Sequence, residues 1–282
     1  MITINGKVVN IDYFPDGTLC LKENPTDNLM FLSSVLNGGK YKAVIKWNYE
    51  NNEELVVLIF FTKHLRRIGF NHIELKMPYI PNARQDRVKS NKDVFTLKYF
   101  AEIINYLNFD KVTVLDPHSS VSEALFNNLK IETPYDYIKT AFDSINEKCV
   151  VSEENPLIVF YPDEGAMKRY SDLFALPYAF GIKKRDWNTG KILGLEVSGA
   201  TDKIKGNRVI IVDDICSRGG TFYHSAKKLK ELGAKEIYLY VSHCENTILD
   251  GDLIHSNLIE TVYTTDSIFT KKHEKIEVIH FA

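Results

Sequence analysis

The 282-residue chain lacks the features that would mark a membrane, secreted or nucleic-acid-binding protein. Its longest apolar run, Leu55 to Phe61, is far too short to span a bilayer. Met1 leads straight into alternating strand-like sequence, without the basic segment and apolar core of a secretory signal. The 4 cysteines, Cys20, Cys149, Cys216 and Cys244, have no metal-ligand spacing and read as reduced thiols rather than a disulfide framework. A formal net charge of -2 leaves no basic excess for a nucleic acid or an anionic membrane surface. No tract is of low complexity. These absences predict a soluble cytoplasmic protein whose partners are neither nucleic acids nor membranes.

The chain does have length enough for two domains, and a series of strand-to-loop junctions. The stretch that organises the rest is Val209 to Thr221. Its short, fully apolar run predicts a buried parallel strand. Two adjacent carboxylates follow, Asp213 and Asp214, then a small-residue loop, Ser217-Arg218-Gly219-Gly220-Thr221, and then a helical pattern through Ala226, Leu229 and Leu232. Neighbouring carboxylates suit vicinal ribose hydroxyls. A glycine-rich loop at a helix start presents backbone N–H groups to phosphate oxygens. An ordinary strand-to-helix turn with a surface acidic pair is the plainer alternative.

Other junctions repeat the pattern. Phe14-Pro15-Asp16-Gly17-Thr18 reads as a hairpin turn between short strands, including Ile2 to Ile4 and Val8 to Ile11. Strands are predicted at Lys40 to Trp47 and Ile73 to Ile80, with a helix from Asn51 to Ile68 between them. Ala83-Arg84-Gln85-Asp86-Arg87 then suits an anion or nucleotide site, or a solvated loop. An amphipathic helix is expected over Phe95 to Leu107. The strand Lys111 to Leu115 ends in Asp116-Pro117-His118, where ligands bind in α/β folds, although a lone His there is more often structural. In the second half, Leu157 to Phe160 opens into Pro162-Asp163-Glu164-Gly165, with a helix expected from Met167 to Phe174. Pro177 to Ile182 runs into Lys183-Lys184-Arg185, and Trp187 to Lys191 is turn-rich. A linker is expected near Thr140 to Glu154, which gives domains of 1–140 and 141–282.

The stretch at 209–221 resembles the phosphoribosyl-binding signature of phosphoribosyltransferases and phosphoribosyl pyrophosphate (PRPP) synthetases. Taken in order, the remaining loops resemble the PRPP synthetase family along nearly the whole chain. Phe14 to Gly17 is similar to its adenine-binding turn. Pro78-Tyr79 with Ala83 to Arg87 is similar to its ATP segment, and Leu115 to His118 and Pro162 to Gly165 to its two metal-ligand loops. Lys183 to Arg185 is similar to the head of its catalytic loop. The resemblance implies an α/β fold of two phosphoribosyltransferase-type (type I) domains with parallel central sheets. It implies transfer of the β,γ-diphosphate of ATP to the anomeric hydroxyl of a ribose 5-phosphate moiety. It places Mg²⁺ on His118 and Asp163, catalysis on Lys183 and Arg185, and ATP on Phe14, Asp16, Arg84, Gln85, Asp86 and His118. The acceptor falls to Asp213, Asp214, Ser217, Arg218, Gly219, Gly220 and Thr221. A site shared between subunits implies a homo-oligomer, at least a dimer.

The chain departs from the family at several points. The segment before Phe14 is shorter and the C-terminus is clipped, which puts the family's hexamer and its ADP or phosphate regulation in question. The adenine-turn Glu is Thr18, and the family's metal-loop His is Glu164. The phosphate loop gains Arg218 and loses an Asp, making it about two charges more positive, and an arginine fork suits phosphate. The acceptor is thus either ribose 5-phosphate, giving PRPP and AMP, or ADP-ribose, the acceptor associated with phage relatives in NAD⁺ rebuilding. A phosphoribosyltransferase and a non-catalytic PRPP synthetase-associated protein are the competing readings.

Overall fold

The computed structural model describes residues 1–22, 34–36, 40–148, 156–185 and 192–281, with side chains for all of these except 34–36, 40, 148, 183–185 and 192–194. Cys149 and the turn-rich segment Trp187 to Lys191 lie outside the described residues. The chain divides into two compact units, Met1–Thr133 and Pro134–Ala282.

In the first unit, strands β1 (Ile2–Ile4), β2 (Lys7–Val8), β5 (Ser34–Leu36), β6 (Lys40–Trp47), β7 (Phe70–Lys76), β8 (Lys111–Leu115) and β9 (Leu129–Glu132) form one sheet. Its order is β2-β1-β6-β7-β8-β9, with β5 also on β6. Strands β6 to β9 pair parallel. The other three pair antiparallel. The expected strand at Val8 to Ile11 is interrupted, because Val9 turns inward and donates its N–H to Ile2 O at 2.9 Å. Beyond it, β3 (Ile11–Tyr13) and β4 (Leu19–Leu21) make a separate two-stranded hairpin.

Alternation in β6 buries Ala43, Ile45 and Trp47, which pack with Ile73, Leu75, Val112 and Val114 of the neighbouring strands. Helices α1 (Glu53–Arg67) and α2 (Thr96–Tyr106) add Val57, Leu58, Phe61 and Leu65, and Leu97, Phe100 and Ile104, to that same core. The short α3 (Val121–Leu125) packs against it through Val121 and Leu125. Helix α1 starts later than the apolar pattern predicts, because Asn51 stays outside it and its Oδ1 accepts the Glu54 N–H at 3.2 Å.

In the second unit the sheet order is β12-β11-β10-β13-β14-β15-β16. The strands are β10 (Leu157–Tyr161), β11 (Tyr178–Arg185), β12 (Ile192–Gly199), β13 (Arg208–Cys216), β14 (Glu236–Cys244), β15 (Val262–Thr265) and β16 (Ile276–Ile279). All pair parallel except β12, which returns antiparallel on β11. Helix α4 (Tyr135–Lys148) occupies most of the stretch expected as a linker, and its Ile138, Ala141 and Ile145 belong to the core of the second unit. Helix α5 (Glu164–Tyr170) begins before the expected Met167, because Asp163 caps it, accepting the Ala166 N–H at 3.1 Å. A 3₁₀ turn, Ser171–Leu173, follows.

The two faces of this sheet are covered by different helices. Ile210 and Val212 of β13 pack with α4 and α5. Val209 and Ile211 pack with Phe222, Ala226 and Leu229 of α6 (Gly220–Glu231), and with Leu253 of α7 (Asp252–His255). Strand β10 is followed by β11 on one side, and the chain then returns to place β13 on the other. The carboxyl ends of β10 and β13 therefore flank a topological switch point, where ligands bind in open α/β sheets. Among the described residues, no helix is long and apolar enough to cross a membrane, and Cys20, Cys216 and Cys244 are free thiols.

Candidate active site

In the second unit, the β13 loop is built around three constraints. Cys216 O accepts the Glu245 N–H at 2.8 Å. Gly219 is left-handed, with φ 78, and caps α6 without a side-chain hydrogen bond, so the first N–H groups of α6 have no capping side chain. Gly251 lies against Arg218 so closely that a Cβ there would fall 1.9 Å from Arg218 O. The backbone of Ser217, Arg218 and Gly219 is thus fixed from outside, while Arg218, Gly220 and Thr221 stay exposed. Such a loop can accept an anion at the positive end of a helix of 12 residues.

Asp213 and Asp214 lie near the carboxyl end of β13, which runs two residues further to Cys216. They point to opposite faces of the strand, as adjacent strand residues must. Asp214 is buried and pairs with Arg169 of α5, Nη1 to Oδ2 2.9 Å. Asp213 keeps some exposure, and its Oδ1 accepts the Asp214 N–H at 3.0 Å. Its carboxyl is pushed well above the usual range, first by burial, then by the charges of Asp214 and Asp163. No sequence motif singles out Arg169. Its only signal is its place near the end of a short helix, facing the sheet edge.

Asp163 lies at the carboxyl end of β10, next to β13. The chain of β11 passes the same loop, for a Cβ on Gly181 would fall 2.7 Å from Pro162 O. Two and four residues further on, the backbone of β11 reaches Lys183 and Arg185. Their side chains lie outside the described residues.

In the first unit, the loops after β7 and β8 hold the other predicted residues. Asp86 is buried and chelated by its neighbour, with Arg87 Nε 2.8 Å from Oδ1 and Nη2 3.0 Å from Oδ2. That pair, helped by Ser119 and more weakly by His118, lowers the Asp86 carboxyl to about 2 against the opposing effect of burial. The Asp86 carboxylate therefore lies within electrostatic reach of His118. Arg84 and Gln85 are exposed, and Gln85 Oε1 accepts from Thr96 Oγ1 at 2.8 Å. Asp116, before His118, is buried with a left-handed φ of 40, which turns the chain sharply at the strand end.

Phe14 and Asp16 sit on the β3–β4 hairpin, not on the main sheet. Phe14 is 53% exposed. Thr18, where the family has Glu, donates both its N–H (3.0 Å) and its hydroxyl (2.7 Å) to Asp16 Oδ1. Those bonds hold the Asp16 carboxyl below its ordinary range.

Among the described residues, no group of three or more His, Cys, Asp or Glu side chains could by itself hold a metal ion. Magnesium does not need one. It keeps several waters and takes one or two protein ligands plus substrate phosphates. Of the two residues expected to hold it, Asp163 is a hard oxygen donor of the kind Mg²⁺ takes, and its charge adds to the repulsion at Asp213 that a divalent cation relieves.

A doubly wound parallel sheet with an acidic pair and a glycine loop at its switch point defines a phosphoribosyltransferase-type α/β domain. The family model "Phosphoribosyl transferase domain" matches residues 130–251. Ribose-phosphate pyrophosphokinase 1 of Streptococcus agalactiae is 27% identical over 243 residues, covering 82% of this chain and 72% of its own. The ribose-phosphate pyrophosphokinase of Pyrococcus abyssi is 28% identical over 250 residues, covering 86% and 79%. The crystal structure of phosphoribosylpyrophosphate synthetase from Mycobacterium smegmatis superposes with a TM-score of 0.73 at 18% identity, over 97% of this chain and 86% of that one, and shares the fold. Over most of its length the chain is thus similar to ribose-phosphate pyrophosphokinases, and it shares the fold of a PRPP synthetase.

Proposed function

We propose that the protein is an ATP-dependent diphosphotransferase acting on a ribose 5-phosphate moiety. The observation that carries this reading is the switch-point edge of the second sheet. There the acidic pair lies near the end of β13, before Cys216, close to a loop pinned by Gly251 and open to an anion. The names of the curated relatives support the same chemistry. The anomeric oxygen attacks the β-phosphorus of ATP, the bond from that phosphorus to the α-phosphate oxygen breaks, and AMP leaves. The hydroxyl proton passes to solvent or a nearby base. Rate then comes from alignment and from charge placed where the phosphoryl oxygens and leaving AMP become more negative.

In this reading Asp213 and Asp214 hold the ribose hydroxyls, and Ser217 to Thr221 cradle the 5-phosphate. Lys183 and Arg185 neutralise the transferring phosphates. Phe14, Asp16, Arg84, Gln85, Asp86 and His118 bind ATP, with Phe14 and Asp16 coming from a neighbouring subunit of a homo-oligomer. His118 and Asp163 would hold Mg²⁺, which when bound offsets triphosphate charge. The side chain of Arg218, projecting exposed from a pinned backbone, favours a second acceptor. ADP-ribose carries further phosphate beside the 5-position, which an arginine fork suits.

Incubation with ATP, Mg²⁺ and each acceptor separately, with products identified by mass, tests both. AMP with PRPP is expected if ribose 5-phosphate is the acceptor. AMP with pyrophosphorylated ADP-ribose, and little turnover of ribose 5-phosphate, is expected if Arg218 selects the larger one. No AMP from either overturns the diphosphotransferase reading in favour of a phosphoribosyltransferase or a non-catalytic relative.

A further inference from the structure

Asp214 is held at both carboxylate oxygens. Oδ2 takes Arg169 Nη1 at 2.9 Å, and Oδ1 accepts the Ile215 N–H at 2.8 Å. Arg169 is itself held. Its guanidinium carbon lies 5.6 Å from the centre of the Tyr170 ring, and Nη1 donates to Tyr170 Oη at 3.4 Å. Tyr170 is buried and stacks on Tyr161, with ring centres 6.4 Å apart and planes 25° apart. An aromatic pad under α5 thus aims one cation at one member of the acidic pair. Asp213, on the opposite face of the strand, lies close enough to Asp163 and Asp214 to feel both charges. Arg169 thus fixes the orientation of one carboxylate of the acidic pair.

We propose that Arg169 is a positioning residue that clamps Asp214 so that the acidic pair presents its oxygens to the vicinal hydroxyls of the acceptor ribose. This rests on the ribose-binding reading of that pair. Arg169 does not touch the substrate. Its effect reaches the sugar only through Asp214, and that route is measurable.

The test compares wild type with Arg169→Gln, Arg169→Lys, Asp214→Asn and the double variant Arg169→Gln/Asp214→Asn. Each is assayed with ribose 5-phosphate and its 2-deoxy and 3-deoxy analogues. Arg169→Gln is expected to raise KM for the acceptor on the order of tenfold, the size of one charged hydrogen bond, and leave KM for ATP within about twofold. It is also expected to shrink the preference for ribose 5-phosphate over whichever analogue lacks the hydroxyl that Asp214 meets. Arg169→Lys should recover part of both effects, since the charge remains and the planar fork is lost.

In the Asp214→Asn background, adding Arg169→Gln should change neither acceptor KM nor hydroxyl preference. That comparison also serves if Arg169→Gln alone fails to fold, because the double variant leaves no unpaired buried charge. Equal rises in both KM values, undiminished hydroxyl preference, or additivity with Asp214→Asn would overturn the proposal. If wild type releases no AMP, the functional reading fails separately. Calorimetric binding of ribose 5-phosphate to the same four variants then decides the role of Arg169, which stands only if Arg169→Gln weakens binding and does so no further once Asp214 is Asn.

Discussion

At the scale of single residues, the ion pair between Arg208 and Glu236 shows how a charge can serve the frame rather than the site. The two are Cα partners at the first positions of β13 and β14, with Nε 2.7 Å from Oε2 and side chains 11% and 25% exposed. Burial alone would raise the Glu236 carboxyl, but Arg208 and the Tyr238 hydroxyl, 2.9 Å away, outweigh it, and the net shift is downward. A carboxyl that is more acidic folded than unfolded adds stability above its unfolded value, about 4.3, and loses it as pH falls through the lower folded value. Glu236→Gln is therefore expected to cost about 1 kcal/mol at neutral pH. The difference in Tm from wild type should shrink as pH drops below about 4. A difference that stays constant from about pH 7 to about pH 3 would assign the loss to packing instead.

At the scale of elements, the loop after β13 depends on the segment that follows β14. Gly251 has an ordinary extended backbone, φ -102 and ψ 153, so nothing in its conformation calls for glycine. Its missing side chain matters because Arg218 O would lie 1.9 Å from a Cβ, and backbone cannot yield as a flexible side chain would. Leu253 backs Gly219 in the same way, 2.9 Å from where a Cβ on that glycine would fall. Gly251→Ala should displace the loop and raise KM for the acceptor on the order of tenfold or more, since misplacement of about 1 Å can cost that much, with KM for ATP little changed. Gly206→Ala is the control. Gly206 has φ 80 and open space around it, so the substitution strains a turn on the far side of β13 and should lower Tm without altering acceptor KM. Acceptor KM rising equally in both would mean general destabilisation.

The same elements show what is legible in the sequence. The apolar run of β13, its acidic pair and its glycine loop are local, and the sequence carries them whole. Parallel pairing follows from the unbroken apolar strands. Helix starts differ by a few residues from the apolar pattern wherever a side chain caps from outside, as Asn51 and Asp163 do. Strand β12 leaves little signal, since Ile192 to Gly199 alternates weakly and carries two glycines. Arg169 and Gly251 are invisible for a different reason. Each acts on a residue distant in sequence, Asp214 or Arg218, and neither departs from the local pattern of its own element.

At the scale of the molecule, apolar exposure is unevenly divided. Among the described residues, every exposed large apolar side chain except Tyr135 and Ile182 lies in the first unit. Val56 and Phe60 lie on α1, and Tyr99, Ile103 and Tyr106 on α2. The two helices adjoin, with Lys63 Nζ 4.3 Å from the Tyr106 ring centre. Beside them, Leu19, Leu21, Lys22, Phe60, Phe61 and His64 line a groove of about 270 Å³ between the β3–β4 hairpin and α1. Exposed apolar side chains gathered on two adjoining helices are the kind of surface a partner covers. On the proposed reading, in which Phe14 and Asp16 serve a neighbour's ATP, the expected occupant is a second copy of the chain. Wild type is then expected to sediment as a dimer or larger. Tyr106→Glu, at a position 72% exposed and so harmless to the core, should shift it toward monomer. Activity per chain should fall with that shift and return at high protein concentration, because the chemistry of each chain is untouched. A monomeric variant with full activity at every dilution would refute the shared site, and an unaltered oligomer would place the interface on another face.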